Sequence, residues 1–270
     1  MKKYALFTCD TEFTPPWNTG TWENQDPWTF EVGIEEISRI LANLNIKGTF
    51  LCEGTLAERY PEKVKSLAQN HLIGSHGYNH ENYGGRPVTV WTKSQPIFLK
   101  NDHEKRELLI KANSAIERVT GKNPEVFVAP FDWIDGPLLQ ILNQLDFQID
   151  CSFHNYSLGL PTMFYQPIGL NLLELPLSVV LSKGGKYKNV LEAFTYDYGC
   201  SAEILRQRIL LITCHPYEFT NIQIPHPREV LIVGDEKKES LTKLLSLLKE
   251  NDYEFTNPLS LKEAIFCPVR

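Results

Sequence analysis

The sequence predicts an α/β fold, a closed barrel of parallel strands wrapped by helices, forming a single domain over residues 1–270. Three observations point there. Short apolar runs alternate with longer amphipathic ones along the chain, the order expected of a parallel sheet with helical crossovers. About seven or eight such units follow one another, which favours closure over an open, doubly wound sheet. No internal repeat or low-complexity linker divides the chain, and its length is enough to bury a core without disulfide or metal staples.

The elements follow in order. Residues 4–9 (YALFTC) read as a buried strand. Over residues 30–43, Val32, Ile34, Ile37, Ile40 and Leu41 recur at helical spacing, and 48–52 (GTFLC) is a second strand. Pro61 opens a short helix over 61–69. Residues 72–75 (LIGS) form a third strand, and a long helix over 102–120 stops at Gly121. Strands at 126–129, 147–151 and 172–175 follow, with a helix at 137–145 between the first two. A short helix at 202–207, a strong strand at 210–214, a helix at 238–250, a strand at 253–256 and a helix at 260–265 complete the chain. Two stretches, 83–101 and 182–201, read as long loops, and loops of that length often serve as lids or substrate walls.

Composition narrows the function. Apolar residues make up 42% and charged residues 22%, ordinary globular usage that excludes collagenous, coiled-coil and disordered chains. A net charge of -6 argues against nucleic acid as a partner, because binding a phosphate backbone needs clustered Lys and Arg. In MKKYALFTCD only residues 4–7 form an apolar run before polar residues take over, short for an export signal, and no run approaches the roughly 20 apolar residues of a membrane span. The expectation is a cytoplasmic protein. The six cysteines, Cys9, Cys52, Cys151, Cys200, Cys214 and Cys267, include no C-x-x-C pair, and free thiols fit a reducing compartment.

In a β/α barrel the reactive groups lie where strands end and the following loops begin. Polar residues directly after the apolar strands are Asp10 and Glu12, His76 and His80 in IGSHGYNH, Asp132, Asp150 and His215, and all are expected to converge on one face. Two neutral imidazoles and a carboxylate form the donor set of a zinc-like ion that keeps positions open for water and substrate. A further carboxylate can take a proton, and a protonated histidine can give one to a leaving nitrogen, which amide hydrolysis requires. Each residue also has a plainer reading. His76 and His80 could be a hydrogen-bonded pair in a turn, Asp10 and Glu12 turn formers or caps, and His215 a loop histidine before Pro216. Pro15 and Pro16 weigh against a helix that the acids could cap. Strand alternation turns Cys9 and Cys214 to the opposite face, into the core. His226, in the Pro-rich IPHP stretch, reads as surface loop. Asp132, Trp133 and Trp91 could line a sugar site, the tryptophans stacking on a ring, or simply pack.

At these residues the chain resembles the polysaccharide deacetylases of carbohydrate esterase family four. FTCDTEF, KGTFLCEG, AERYPEKVKSLAQNHLIGSHGYNH, TGKNPEVFVAP, ITCHPYEF and the terminal helix carry the resemblance over most of the chain. It implies a distorted (β/α)7 barrel, metal ligation by His76 and His80 as the HxxxH pair, and His215 as general acid. The implied cofactor is a divalent metal, Zn foremost with Co, Mn or Ni as alternatives, and the implied substrate is an N-acylated sugar.

Two departures bear on mechanism. The family's usual Thr-Phe-Asp-Asp-Gly is here Thr8-Cys-Asp-Thr-Glu12, so Asp10 and Glu12 share the roles of base and third ligand. Asp10 is favoured as base and Glu12 as ligand, with the reverse open. Val128 stands where many members carry an arginine that braces the catalytic Asp, leaving Arg86 or Arg228 as substitutes. The Asp-x-x-Asp-Trp groove motif is also not evident after Phe147. The resulting expectation is a metal-dependent N-deacetylase acting on a nucleotide-linked or lipid-linked sugar. Alternatives are a sugar deformylase, a non-catalytic carbohydrate binder, and a metal-free amidohydrolase of the allantoinase-like branch.

Overall fold

Strand β1 (Lys3–Thr11) is the stave around which the barrel is built. Its residues are buried on both faces, which is why it reads as a continuous apolar run rather than an alternating one. Leu6 joins a cluster inside the barrel with Leu51, Val126, Ile149, Leu175 and Leu211. Ala5, Phe7 and Cys9, of opposite parity, join the larger cluster between sheet and helices. The structure is a computed structural model and describes residues 2–13, 27–84, 99–153, 162–181, 187–221 and 233–266.

From β1 the chain passes through α1 (Pro27–Asn43) to β2 (Thr49–Cys52), then α2 (Gly54–Arg59) and α3 (Pro61–Ala68) to β3 (Leu72–Ser75). Helix α4 (Asp102–Thr120) leads to β4 (Val126–Phe127), and α5 (Gly136–Gln144) to β5 (Ile149–Asp150). Strand β6 (Leu173–Glu174) precedes a hairpin of β7 (Val179–Leu181) and β8 (Tyr187–Asn189). Helices α6 (Val190–Tyr196) and α7 (Ser201–Ile204) lead to β9 (Ile209–Cys214), α8 (Asp235–Glu250), β10 (Tyr253–Thr256) and α9 (Pro258–Phe266).

All pairings in the main sheet are parallel, in the order β10-β1-β2-β3-β4-β5-β6, with β9 also paired to β1. Closure comes just after β6, where Ser178 N donates to Leu211 O at 3.2 Å and Leu211 N donates to Ser178 Oγ at 2.7 Å. Strands β1 to β6 and β9 are therefore the seven staves, and β10 adds an eighth strand beside β1. The β6–β9 junction uses a side chain where the other seams use ladders, which is the barrel's distortion. The predicted fold class holds. No helix among the described residues is long and apolar enough to cross a membrane.

Most predicted elements lie within a few residues of those observed, and α4 agrees at both ends. There Asn101 accepts from Glu104 N at 3.0 Å, Glu104 returns the bond to Asn101 N at 2.9 Å, and Gly121 closes the helix at φ 74°. The stretch 182–201, expected as a loop, instead holds β8, α6 and a 3-10 turn at Tyr198–Cys200. Only a few residues long, these pieces show no usable periodicity; local caps stabilise them, as where Asn189 accepts from Glu192 N at 2.7 Å. Of the other expected loop, residues 85–98 lie outside the described residues, as do Trp91, Arg86, Arg228, His226 and Cys267.

Asp150 requires a correction. Cys151 lines the cavity at the strand exits, so Asp150, its neighbour on the strand, takes the opposite face. There it is paired in register with Glu174 of β6 and accepts from Ser152 Oγ at 2.5 Å. Both carboxyls are buried, and burial first pushes Asp150 up to about 6 and Glu174 up to about 10, the charge of Asp150 adding to the latter. The folded values lie above those of the unfolded chain, so stability from this pair is present below about pH 4 and is lost as pH rises through the folded values. Glu174→Gln is expected to raise Tm at pH 8 by roughly 2–4 °C, corresponding to about 1 kcal/mol, and to leave it little changed at pH 5. Thermal melts at both pH values check this; an equal gap at both would show that the pair does not titrate as described.

Candidate active site

The register of the parallel strands brings the chemistry together. Cys9 pairs with Cys214, Thr11 with Cys52, Cys52 with Ser75 and Ser75 with Phe127. The next residues on these strands, Asp10 and His215, Glu12 and Glu53, His76 and Val128, consequently leave the barrel at one end and nearly one level. Cys9 and Cys214 themselves are buried on the helix side, as alternation requires.

Glu12, His76 and His80 form the centre. Their ligand atoms all lie within 4.8 Å of one another, and all three residues are buried. Glu12 Oε2 is 2.5 Å from His80 Nε2 and 3.4 Å from His76 Nε2. The other nitrogen of His76, Nδ1, is 2.9 Å from the carbonyl oxygen of Val128. A carbonyl only accepts, so Nδ1 carries the hydrogen and a neutral His76 directs the Nε2 lone pair at a carboxylate oxygen. Burial acts against a charged His76, but the hydrogen bond to Glu12 and the charges of Asp10 and Glu12 push it above the usual range, so either a proton or a cation can sit between Nε2 and Glu12; a backbone carbonyl on the far nitrogen is the usual support of a metal-bound imidazole. The donor set and its surroundings fit a divalent metal such as zinc. Burial pushes against ionisation of Glu12, but His80 and His76 together hold its carboxyl well below the usual range.

The loop from His76 to His80 is fixed from behind. Glu81 Oε2 accepts from Asn79 N at 2.9 Å, Tyr78 N at 3.3 Å and Tyr83 Oη at 2.9 Å. Gly77, at φ 77°, lies so close to the buried Tyr83 that a Cβ there would stand 2.6 Å from the ring. His80 is itself left-handed at φ 55°, and so are Phe131 and Asp132, at 63° and 56°, in the 3-10 turn after β4. Such backbone is costly for residues with a Cβ and persists where packing overdetermines it. It sets the Phe131 ring edge-on to His80, with centroids 4.5 Å apart, and places Asp132 on the cavity.

That cavity, with space for about one water molecule, is lined by Thr8, Asp10, Val128, Asp132, Cys151, Leu177, Leu211 and Thr213. Trp133, not part of that lining, is tilted against Phe131 with centroids 5.6 Å apart. Asp10 is buried, its Oδ2 is 3.7 Å from His215 Nε2, and its Oδ1 has no hydrogen-bond partner among the described residues. Burial, opposed by His76 and His215, pushes Asp10 up to about 6. Burial acts against a charged His215, yet its hydrogen bond to Glu218 and the carboxylates of Glu12 and Asp10 push it up to about 10. At neutral pH the pair is thus a carboxylate facing an imidazolium, a proton acceptor beside a proton donor.

Sequence reading missed several supports. Glu218 Oε1 is 2.7 Å from His215 Nδ1 and also accepts from His215 N at 3.2 Å. The sequence carries little signal for it, since the helix-start signature needs Ser, Thr, Asp or Asn at the cap and this turn reads H-P-Y-E. Gly33 of α1 crosses the same turn so closely that a Cβ would lie 1.9 Å from Pro216 O. Glu53, at the exit of β2, is fully buried, and burial first, then Glu12 and Glu81, push its carboxyl well above the usual range.

Comparison with known proteins gives a consistent result. Residues 24–149 match the family profile described as polysaccharide deacetylase. A peptidoglycan deacetylase of Helicobacter pylori is 28% identical over 127 residues, covering 46% of this chain and 39% of the relative. A peptidoglycan-N-acetylglucosamine deacetylase of Bacillus cereus is 26% identical over 209 residues, covering 72% and 66%. The matched region spans less than two thirds of either relative's length. A solved structure described as a probable polysaccharide deacetylase from Pseudomonas aeruginosa superposes with a TM-score of 0.67 at 14% identity, covering 99% of this chain and 92% of that one, a likeness of fold.

Proposed function

We propose, on the premise that this chain belongs to the polysaccharide deacetylase family, that it is a metal-dependent hydrolase removing an N-acyl group, acetyl foremost, from an amino sugar. One observation carries the proposal: a buried Glu-His-His donor set lies at the same end of the barrel as an Asp–His pair whose Asp10 lines the cavity. Glu12, His76 and His80 would hold the ion, zinc in the first place, with Co, Mn or Ni as alternatives. When bound, such an ion polarises a carbonyl and makes water nucleophilic at neutral pH.

The other roles fall to the chain's own residues. Asp10, ionised at neutral pH, accepts the proton of the attacking water, and His215, protonated there, gives one to the departing nitrogen. Leu177, Leu211 and Val128 offer an apolar wall to a short acyl group. Asp132 and Trp133, and Trp91 from outside the described residues, are the candidates for sugar contact. Val128 favours a second reading, a carbohydrate binder without turnover, because it brings no cation to brace Asp10.

The experiment strips the protein with a chelator, reloads it with zinc and measures acetate and formate released from N-acetyl- and N-formyl-glucosamine oligomers. Release that vanishes on chelation and returns with the ion is expected. Formate without acetate would make it a deformylase, while stoichiometric zinc and glycan binding with no release of either acid would leave only the binder.

A further inference from the structure

Lys237 lies in the first turn of α8, where the helix dipole favours anions, and Asp235 and Glu236 beside it follow that rule. Lys237 breaks it and is buried as well, its side chain 9% exposed. A buried ammonium needs a partner, and Lys237 Nζ is 2.7 Å from Glu218 Oε2. The other oxygen of that carboxylate, Oε1, is 2.7 Å from His215 Nδ1. His215 Nε2 in turn faces Asp10 Oδ2 at 3.7 Å. Four side chains from α8, the Pro216–Phe219 turn and the ends of β9 and β1 thus form one line from the helix layer into the cavity.

From this line we infer that Lys237 is a positioning residue for the reaction, acting through Glu218 on the orientation of His215. The inference rests on the proposed role of His215 as proton donor. Helix α8 is anchored by buried Leu241, Leu244, Leu245 and Leu248, and its start is tied to Glu218 a second time by Gly234 N donating to Glu218 O at 2.8 Å. Lys237 therefore arrives from a rigid element. Its charge, with that of His215, holds Glu218 low, at about 2, against burial. An ionised, doubly anchored Glu218 accepts from Nδ1–H of His215, and this fixes which nitrogen the ring presents to Asp10. The imidazole stacks on the Tyr217 ring, centroids 5.0 Å apart and planes 18° from parallel, which restrains rotation about Cβ–Cγ, and the bond to Glu218 selects between the two flipped orientations of the ring.

Lys237→Met in the zinc-loaded protein is expected to lower kcat on N-acetylglucosamine oligomers by roughly 10- to 100-fold, the range found for supports of catalytic ligands. KM should stay within about twofold. The far-downfield Nδ1 proton resonance of His215 should disappear, and Lys237→Arg should restore both. A folded Lys237→Met protein with wild-type kcat and an unchanged resonance would overturn the inference and leave Lys237 a packing residue. Should that variant not fold, Glu218→Gln, which keeps the shape and removes the charge, carries the same test. A wild-type protein inert on every amide, whose His215 resonance is nevertheless lost in Lys237→Met, would separate the two ideas: the line holds the ring, and the proposed reaction is wrong.

Discussion

His76→Ala is expected to abolish stoichiometric zinc binding and to cut kcat/KM by about 10³-fold or more, with the fold retained. An ion's charge stabilisation is worth several kcal/mol in the transition state, and each 1.36 kcal/mol is about tenfold in rate. The substitution removes one of three buried donors and also leaves the Val128 carbonyl without its 2.9 Å partner. His80 and Glu12 alone then offer two donors. His76 stands one residue beyond the end of β3, outside the strand ladder, so the barrel should survive and the loss should be one of ion and activity rather than of structure. Elemental analysis after dialysis, acetate release and a thermal melt together check it. A variant that keeps one zinc per chain and normal turnover would show that the Glu12–His76–His80 cluster is only a hydrogen-bonded group.

How much of this was legible beforehand follows from the physics of strands. The staves show as apolar runs because both faces are buried, and the site residues show because polar groups must begin where burial in the barrel ends. Asp10, Glu12, His76, His80, Asp132 and His215 were all readable as strand-exit residues, and the structure brings them to one end. Asp150 met the same criterion and fails it by a single residue: parity decides which face a side chain takes, and the run FQIDCS does not reveal where the strand's last inward residue falls. The supports were harder still. Lys237 and Glu218 lie 19 positions apart in sequence and meet only because α8 docks on the turn after β9, a tertiary fact with no local pattern. Short elements such as α6 escaped for another reason, since seven residues hold too few turns to display a period.

Asp10 and His215 should separate when the leaving group is varied. Their proposed tasks differ: Asp10 takes a proton at the start, and His215 delivers one to nitrogen as the C–N bond breaks. An amine leaves poorly without that proton, whereas an activated phenolate leaves without help. His215→Asn is therefore expected to lower kcat on N-acetylglucosamine oligomers by roughly 10²–10⁴-fold, the usual worth of a positioned acid, and to spare much of the turnover of 4-nitrophenyl acetate. Asp10→Asn should depress both substrates by a similar factor, because water must be deprotonated whichever group departs. The 3.7 Å gap between Oδ2 and Nε2 is too long for a hydrogen bond, so either substitution should leave its partner in place with the zinc content unchanged. Steady-state rates on the two substrates, with metal content measured alongside, decide the matter. If His215→Asn falls equally on amide and activated ester, the ring does not serve as the acid, and its line to Lys237 must support the charge of Asp10 instead.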